Sequence, residues 1–211
     1  VVSAAKKWDC LPHDLTVELA TRGAGVLHPR SVELAKQFGV SLWVINSLRQ
    51  AKGTQIVSRG MEEFGVVGVT SDSGKIWLRV DLARPTTLSA LWDAAAKHQL
   101  SIVAPQFMDG AVSVFVERES ESEWRALLQR MSEEGFVRRF DLKSDWVPVS
   151  VVGDRFSQDG SALQQIIETL ASAHVEATCG NASSLAITLA VPQSKAADAV
   201  KTLHEKFIES A

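Results

Sequence analysis

Two patterns of apolar and polar residues follow one another along the chain after position 64, and they predict a series of strands and amphipathic helices. Residues 75–82 (KIWLRVDL) alternate with a period of two, which is typical of a strand with one buried face. Residues 120–134 carry Trp124, Leu128 and Met131 at helical spacing. The same criteria predict strands at 64–70, 75–82, 100–104, 112–116, 136–142, 146–152, 174–178 and 185–191, and helices at 86–99, 120–134, 161–173 and 194–208.

The apolar positions of this region recur at a fixed distance. Leu88 and Leu163 are 75 positions apart, and the spacing persists through a helix, a strand and a second helix. A register kept through three successive elements indicates an internal repeat. It predicts two copies of a β-α-β-β-α-β unit with the ferredoxin-like arrangement, hence an α+β fold. The other matched pairs are Leu91 and Ile166, Ala96 and Ala171, Val112 and Ile187, Val114 and Leu189, Val116 and Val191, and Leu128 and Leu203.

The two copies differ in their number of strands. The second copy ends with the helix near position 208 and lacks its last strand, whereas the strand at 64–70 has no place in the first copy. A sheet with a missing edge strand would expose backbone groups and core side chains. We therefore expect the early strand to complete the second unit, so that the first unit is inserted into the second.

The first 60 residues follow a different pattern. Helices are predicted at 11–22 and 29–38, a buried strand at 41–46 and a short extended segment at 54–57. The stretch 58–63 interrupts the pattern and is interpreted as a boundary. These residues are expected to form a small α/β unit ahead of the repeat.

Composition and charge exclude several classes of function. The 211 residues have a formal net charge of −3, without a long basic cluster, so no nucleic-acid partner is predicted. No apolar run approaches the roughly 18 to 20 residues that cross a bilayer, and no leader segment is recognisable, so no membrane partner and a cytoplasmic location are expected. Two cysteines are too few for a disulfide framework or a zinc site.

A short segment near the start combines residues that could contact an anion. Gly23 and Gly25 follow a predicted helix rather than a strand, which favours helix capping over a phosphate-binding loop. His28 and Arg30 flank Pro29 at the start of the next helix, where backbone N–H groups could face a phosphate. The same two side chains are equally compatible with an ordinary surface.

No set of residues forms a self-sufficient catalytic or metal centre in the sequence. The five histidines lack paired metal-ligand spacing, and no nucleophile, base and acid can be singled out as a triad. Two small α+β units without such motifs favour binding and regulation over catalysis.

The residues at 23–44 (GAGVLHPRSVELAKQFGVSLWV) and 53–57 (GTQIV) closely resemble the end of the kinase domain of aspartate kinases. That family has Gly-Ala-Lys-Val-Leu-His-Pro-Arg, then a helix, a strand and Gly-Thr-x-Ile. The repeat resembles the family's paired ACT modules, the first of which is inserted into the second. Residues 149–153 (VSVVG) and 203–207 (LHEKF) match as well.

The resemblance implies a division of the chain and a function. The parent enzyme phosphorylates the aspartate side chain with ATP and Mg²⁺ at the start of lysine, threonine and methionine synthesis, and end products inhibit it through the ACT modules. The nucleotide- and aspartate-binding motifs of the family would precede Val1, so we expect this chain to be regulatory, inactive alone, and without a cofactor or metal of its own. The implied segments are 1–60 (end of the kinase domain and linker), 61–72 (the strand completing the second module), 73–144 (first ACT module) and 145–211 (second ACT module).

The resemblance also implies partners. We expect a homodimer or higher oligomer formed through ACT sheet edges, or pairing with a catalytic kinase subunit, and an amino-acid effector such as lysine or threonine. The alternative is a stand-alone small-molecule sensor or oligomerisation scaffold that shares only its ancestry with the family.

The effector loops depart from the family pattern. The first module usually has an Asp-x-Pro-Gly turn and then Asn-Ile/Val-Asp, but this chain has Arg-Pro-Thr at 84–86 and Ser-Ile-Val at 101–103. The second usually has Pro-Gly and Ser-Thr-Ser-Glu-Ile, replaced here by Gly-Ser at 160–161 and Asn-Ala-Ser-Ser-Leu at 181–185. Because the Asp that would pair with an effector ammonium is absent, we expect a weakened feedback response. The effector-binding candidates are Arg84, Thr86, Ser101, Gly160, Ser161 and Asn181.

Near the nucleotide region of the parent enzyme the resemblance places Gly25, His28 and Arg30. Gly25 stands where the family usually has lysine, which removes a charge.

Overall fold

The computed structural model describes residues 2, 5–48, 52–58, 64–154, 156 and 160–209, with the main chain only at position 179. The described chain contains three sheets and six α-helices. In order, the elements are β1 Cys10–Pro12, α1 His13–Thr21, α2 Pro29–Gln37, β2 Leu42–Val44, β3 Thr54–Val57, β4 Val66–Ser71, β5 Lys75–Leu82, α3 Leu88–Lys97, β6 Val103–Met108, β7 Ala111–Glu117, α4 Glu121–Glu133, β8 Val137–Lys143, β9 Trp146–Gly153, α5 Ser161–Ser172, β10 Thr178–Ala182, β11 Ala186–Pro192 and α6 Ala196–His204.

The first sheet belongs to the front part of the chain and has the order β1-β3-β2. β1 runs parallel to β3, and β2 pairs antiparallel with it. The expectation of a buried strand at 41–46 is wrong, because β2 is a three-residue edge strand whose Trp43 is 55% exposed and whose neighbour Ile45 is 65% exposed. Among the described residues, no layer covers the face that carries these two side chains.

The first repeat unit, which we call the first module, has the sheet order β6-β7-β5-β8. Its four strands are antiparallel, and α3 and α4 pack on one face. The alternation in β5 places Ile76, Leu78 and Val80 in the core, where all three are fully buried. Trp124 of α4 is 1% exposed in the same core.

The second module has the order β10-β11-β9-β4, with α5 and α6 against its sheet. β4 pairs antiparallel with β9, from Val66 opposite Gly153 to Ser71 opposite Val149. This confirms two ferredoxin-like units of which the first is inserted into the second. The boundary expected at 58–63 falls largely on residues 59–63, which lie outside the described residues.

The 75-residue register also relates individual residue pairs of two hairpins, β6–β7 in the first module and β10–β11 in the second. Three of the four residue pairs in this hairpin of the second module lie 75 positions after pairs of the first, whereas β9 lies 71 positions after β5. In this register, the connection from the end of the first strand to the matched helix position, Leu88 or Leu163, is therefore four residues longer in the second module. The matching pairs are Val103–Phe115 and Thr178–Ala190, Gln106–Ser113 and Asn181–Thr188, and Phe107–Val112 and Ala182–Ile187.

The second strand of each module begins later than the sequence predicted, at 103 instead of 100 and at 178 instead of 174. The apolar residues Leu100 and Val175 end the preceding helix instead of starting a strand. Their N–H groups bond to the carbonyls five residues earlier at 2.9 Å, and both side chains are buried. Gln99 and His174, just before them, adopt φ of 55° and 53°, the left-handed conformation of a helix end.

Glycine at these two helix ends is expected to stabilise the protein. A non-glycine residue in the left-handed region is strained, so Gln99→Gly and His174→Gly should each raise the free energy of unfolding by up to about 1 kcal/mol. Urea unfolding followed by circular dichroism measures the change. Ala173→Gly is the control, because Ala173 has φ of −88° and glycine relieves no strain there. Equal destabilisation by Ala173→Gly and His174→Gly would contradict the assignment of strain.

The two modules pack together through the sheet faces opposite their helices. Trp77 and Phe115 of the first module meet Trp146 and Ala190 of the second in one buried cluster. The two tryptophan rings are 6.4 Å apart. Lys143 lies over Trp146 with its ammonium 4.4 Å from the ring centroid, so the cluster combines apolar burial with a cation–π contact.

One side chain contacts both chain segments that connect the first module to the second. The guanidinium of Arg118 donates to the carbonyl of Ser73 at 2.8 Å and to the carbonyl of Ser144 at 2.8 Å. A third bond, 3.0 Å long, reaches Oε1 of Gln193 in the second module. Arg118 therefore holds together the chain entering and the chain leaving the first module.

The front unit rests on the remaining part of the second sheet's open face. Leu11 and Leu15 pack against Val67, Val152 and Ala186. The indole N–H of the neighbouring tryptophan at position 8 donates to a β4 carbonyl at 2.8 Å. The three parts of the chain are thus joined by apolar contacts.

A polar network also ties α1 to this sheet. Arg22 donates to Glu18 at 2.7 Å and to the hydroxyl of Thr188 at 2.6 Å. Thr188 in turn shares a 2.8 Å hydrogen bond with Ser150, and both hydroxyls are buried. Thr70 donates to the carbonyl of Arg22 at 2.7 Å. Buried hydroxyls in such a network restrict how the front unit can move on the sheet.

Candidate ligand-binding site

A cavity of about 490 Å³ opens between α5 and the edge strand β10 of the second module. Its walls are mainly apolar and include Leu163, Ile167 and Val175, while Gln106 reaches it from β6 of the first module. None of the described residues that line it carries a charge. A concave apolar site with a few polar groups at a junction of domains is a typical ligand-binding site.

The apolar stripe of α5 is wider than its core requires. Ile166 and Leu170 are each 1% exposed and fill the core, as their spacing predicts. Leu163 and Ile167, however, are 37% and 50% exposed and face the cavity. The helix therefore presents a second apolar surface to solvent.

Small residues in and just before β10 leave open space opposite α5. A Cβ at Gly180 would lie 2.4 Å from the carbonyl oxygen of Thr188 and 2.5 Å from Cδ2 of Leu189, so only glycine fits this close approach. Ala177 and Ala182 also line the cavity with methyl groups alone. The space is open because these three positions lack larger side chains.

Polar groups lie at the rim. The amide nitrogen of Asn181 donates to the carbonyl of Pro105 at 3.1 Å, which joins β10 to β6 and fixes the amide. Gly160 and Ser161 begin α5 just before Leu163, so the N-terminal end of the helix lies beside the cavity. The positive end of the helix dipole favours a carboxylate there.

The candidates of the first module do not line this cavity. Arg84 and Thr86 are exposed in the loop after β5, where the carbonyl of Arg84 accepts bonds from the N–H and hydroxyl of Thr87. Ser101 is exposed ahead of β6. The structure thus brings Asn181 to the cavity wall and places Gly160 and Ser161 at the start of α5, outside the residues that line the cavity, but leaves the first-module candidates on an open surface.

The early candidates lie apart from this cavity. His28 and Arg30 are exposed at the start of α2, on either side of Pro29. Gly25 has φ of 66° and a Cβ there would meet no atom closer than 3.9 Å. Backbone conformation, not lack of space, therefore favours glycine at this position.

Sequence reasoning missed the residues that shape the cavity, namely Leu163, Ile167, Gly180 and Ala182. One signal was present: Leu163 and Ile167 extend the apolar stripe of α5 beyond the width of one buried face. The small residues of β10 were not recognised, because the strand was expected to end at position 178.

The ionisable groups with shifted pKa values lie away from the cavity. Burial disfavours the charged form of Lys75, but its hydrogen bond to Asp72 and the nearby Glu117 outweigh this and raise its pKa. The hydroxyl of Ser144 and then the guanidinium of Arg125 lower the pKa of Glu121. The carboxylate of Glu121 thereby links α4 to the turn between β8 and β9.

Ser144→Ala is expected to raise the pKa of Glu121 towards its ordinary value. A carboxyl whose pKa is lowered in the folded state adds stability above its unfolded pKa, and this contribution disappears as the pH falls through the folded pKa. In the variant, part of that contribution should therefore be absent at neutral pH, and the decline should begin at a higher pH.

An NMR titration of the side-chain carboxyl measures this pKa. Ser122→Ala is the control, because the Ser122 hydroxyl bonds to Glu123 at 2.9 Å instead. An unchanged pKa of Glu121 in Ser144→Ala would show that the hydrogen bond does not determine it.

The described residues carry neither a metal-ligand cluster nor a helix that could span a membrane. They contain no group of three or more His, Cys, Asp or Glu side chains placed to hold a metal ion. Among the same residues, no helix is both long and apolar enough to span a bilayer.

Comparison with known proteins relates this architecture to a family. A family model described as "ACT domain" matches residues 149–207. Aspartokinase 2 of Bacillus subtilis is 26% identical over 214 residues, which cover 98% of this chain and 52% of that protein. The aspartokinase of Geobacillus stearothermophilus is 27% identical over 216 residues. The chain thus spans about half the length of the curated relatives it matches.

Solved structures show the same fold. Escherichia coli aspartokinase III in complex with aspartate and ADP superposes with a TM-score of 0.85 at 21% identity, covering 97% of this chain and 47% of that one. The regulatory subunit of aspartate kinase from Thermus thermophilus superposes with a TM-score of 0.60 at 18% identity, covering 67% of this chain and 97% of that one. The predicted resemblance of this chain to the regulatory part of aspartokinases is confirmed.

Proposed function

We propose that this chain is the regulatory portion of an aspartate kinase and that it senses an amino acid through its second module. The observation that carries the proposal is the open cavity between α5 and β10, in a chain that matches aspartokinases over 98% of its length. Two ACT-type modules, one inserted into the other, support a sensing role.

In this proposal the whole enzyme transfers phosphate from ATP to the aspartate side chain with Mg²⁺, and the remainder of the kinase domain binds both substrates. The segment 1–60 closes that domain, with Gly25, His28 and Arg30 near the nucleotide. Segments 61–72, 73–144 and 145–211 form the regulatory modules. A competent kinase would require this chain to act with the rest of the domain or with a catalytic subunit.

Sheet edges are the proposed means of self-association. β6 and β8 are the edge strands of the first module, and β10 and β4 those of the second. An edge strand presents unpaired backbone groups that can continue a sheet across two molecules. Phe107 of β6 is 58% exposed on the face that carries Trp92, and this apolar surface beside the edge supports an oligomer built on the first module.

The chemistry of the cavity favours an effector with an apolar side chain. The side-chain ammonium of lysine would leave water without an acidic partner among the described lining residues, which is unfavourable. Threonine or methionine could bury its side chain between Leu163 and Ile167. Its carboxylate would then face the start of α5 at Gly160 and Ser161, with Asn181 at the opposite rim.

The first module supports the expected weakening of feedback. The family's Asp-x-Pro-Gly turn is matched here by Ala83-Arg84-Pro85-Thr86, so alanine stands at the acidic position, and Thr86 and Ser101 are exposed polar residues. We propose that the first module responds weakly, or not at all, to lysine.

A thermal-shift series with lysine, threonine and methionine tests the function. At 100 times Kd a ligand of the folded state adds about 2.7 kcal/mol of stability. We expect a rise with threonine or methionine and no rise with lysine. No rise with any of the three at millimolar concentration would contradict the sensing role, and aspartate-dependent ATP consumption by the chain alone would contradict its assignment as regulatory.

A further inference from the structure

The two modules share one architecture but differ in what fills the space between the first helix and the second strand. The 75-residue register assigns each cavity-lining residue of the second module a counterpart in the first. The counterparts are Leu88 for Leu163, Trp92 for Ile167, Ile102 for Ala177 and Phe107 for Ala182.

In the first module this space contains aromatic side chains. The rings of Trp92 and Phe107 lie 5.8 Å apart, at an angle of 37°. Trp92 and Ile102 both pack against the buried core of the module. Helix and strand are thus bridged by the chain's own side chains.

In the second module the positions of Trp92, Ile102 and Phe107 carry smaller residues, and a cavity of about 490 Å³ lies between helix and strand. An isoleucine at 167 replaces an indole, and alanine at 182 replaces a phenyl ring. Ile167 is left 50% exposed. The chain therefore contains both a filled and an open version of one site.

We propose that Trp92 and Phe107 are a built-in occupant of the first module, and that the open cavity of the second takes the apolar side chain of a free amino acid in their place. The proposal rests on the function proposed above and adds its stoichiometry: one ligand for each chain, bound in the second module. The first module then stays permanently in the filled state.

The structure supports an apolar occupant in three ways. Aromatic rings occupy the equivalent space in the first module, with Phe107 still 58% exposed, so that space suits apolar groups. Among the described residues, the lining of the open cavity is uncharged, and it exposes the side chains of Leu163 and Ile167 to water. Covering such surface is favourable in proportion to the apolar area removed from water.

The contact of Asn181 with Pro105 gives the two sites a connection. It joins the cavity wall of β10 to β6, the strand that carries Phe107 in the first module. A change at the open site is thereby transmitted to a strand whose other face is already held by the aromatic pair.

Exchange of residues between the modules tests the proposal. The closing variant, Ile167→Trp with Ala182→Phe, gives the second module the occupant of the first. Calorimetric titration with threonine, methionine and leucine is expected to show one site in the unaltered chain and at least a tenfold loss of affinity in this variant. The closing variant should also melt at a higher temperature than the unliganded original.

The opening variant is the matched control. Trp92→Ile with Phe107→Ala removes the occupant of the first module and leaves the second module intact, so binding to the second module should keep its affinity. A second equivalent of ligand is expected to appear. If the closing variant fails to fold, Ala177→Ile, which introduces the first-module residue at the cavity mouth, provides the same test with a smaller change.

The outcomes distinguish failure of this proposal from failure of the proposed amino-acid sensing. Unchanged affinity in a folded closing variant would overturn the proposal while leaving amino-acid sensing intact. Absence of binding to the unaltered chain would overturn both. If light scattering showed that the closing variant loses self-association instead of ligand binding, the occupant would be a second copy of the chain, and the proposal would be wrong.

Discussion

Gly153→Val is expected to destabilise the protein by roughly 3 kcal/mol or more and to act first on the second module. A Cβ at this position would lie 2.6 Å from the carbonyl oxygen of Gly65 and 2.9 Å from Cα of Val66. Both are backbone atoms at the start of β4, and they cannot move away without breaking its pairing with β9. The variant should therefore release β4 from the sheet and expose the edge of β9.

Hydrogen exchange and urea unfolding measure this effect. Amides of β4 and β9 should lose protection while those of β5 and β7 in the first module keep it. Gly65→Ala is the control, because a Cβ at Gly65 meets no atom within 4 Å and its φ is not left-handed. Equal stability of Gly153→Val and Gly65→Ala would mean that the strand contact does not hold the module closed.

Trp146→Ala is expected to cost about 3–5 kcal/mol and to uncouple the modules. Trp146 is 7% exposed and packs on Trp77, beneath the ammonium of Lys143. Truncation leaves a cavity in the cluster that joins the sheet faces and removes the cation–π contact. Because each module keeps its own core, unfolding should separate into two transitions.

Circular dichroism during urea unfolding distinguishes one transition from two. Trp43→Ala is the control, since Trp43 is 55% exposed on the edge strand β2 and its loss should change the free energy of unfolding by less than about 1 kcal/mol. A single transition in Trp146→Ala, with unchanged cooperativity, would show that the modules are coupled by other contacts. Arg118 and its bonds to Ser73 and Ser144 would then be the first candidate.

The inserted topology could be predicted because it follows from the spacing of apolar residues and the number of strands in each repeat. The spacing of apolar residues located the repeat, and an unpaired strand at the start matched a missing strand at the end. Each step used periodicity and the requirement that a sheet edge be paired, both of which are visible in a sequence.

The errors arose where backbone conformation or missing neighbours decide the outcome. Leu100 and Val175 look like strand residues, yet left-handed residues before them end the helices and turn these side chains into the core. Trp43 looks buried by composition, but nothing among the described residues covers it. Periodicity carries no information on either effect.

The candidate site was predicted only in part. Asn181, Gly160 and Ser161 came from the family resemblance; Asn181 lines the cavity, and the other two lie at the start of α5, which carries Leu163 into it. The cavity itself depends on a contrast in side-chain size, between Trp92 and Ile167 and between Phe107 and Ala182. That contrast becomes meaningful only when the second strand is placed correctly.

The placement of β4 ahead of the first module has a consequence for how the protein is made. During synthesis β4 leaves the ribosome before its partner β9, because 74 residues separate the two strands. Until β9 emerges, the backbone groups of β4 have no strand to pair with in this sheet. The first module lies entirely between them and can fold first. When it does, pairing of Trp77 with Lys143 brings its two ends together.

Folding of the first module therefore shortens the loop that separates β4 from β9. Closing a long flexible loop costs chain entropy. Once the insert has folded, its two ends already lie close together, so pairing of β4 with β9 costs less entropy. Arg118 then joins the two crossing segments before the second module is complete. The inserted module acts as an internal template for the nascent chain, and damage to its core should reduce the yield of both modules.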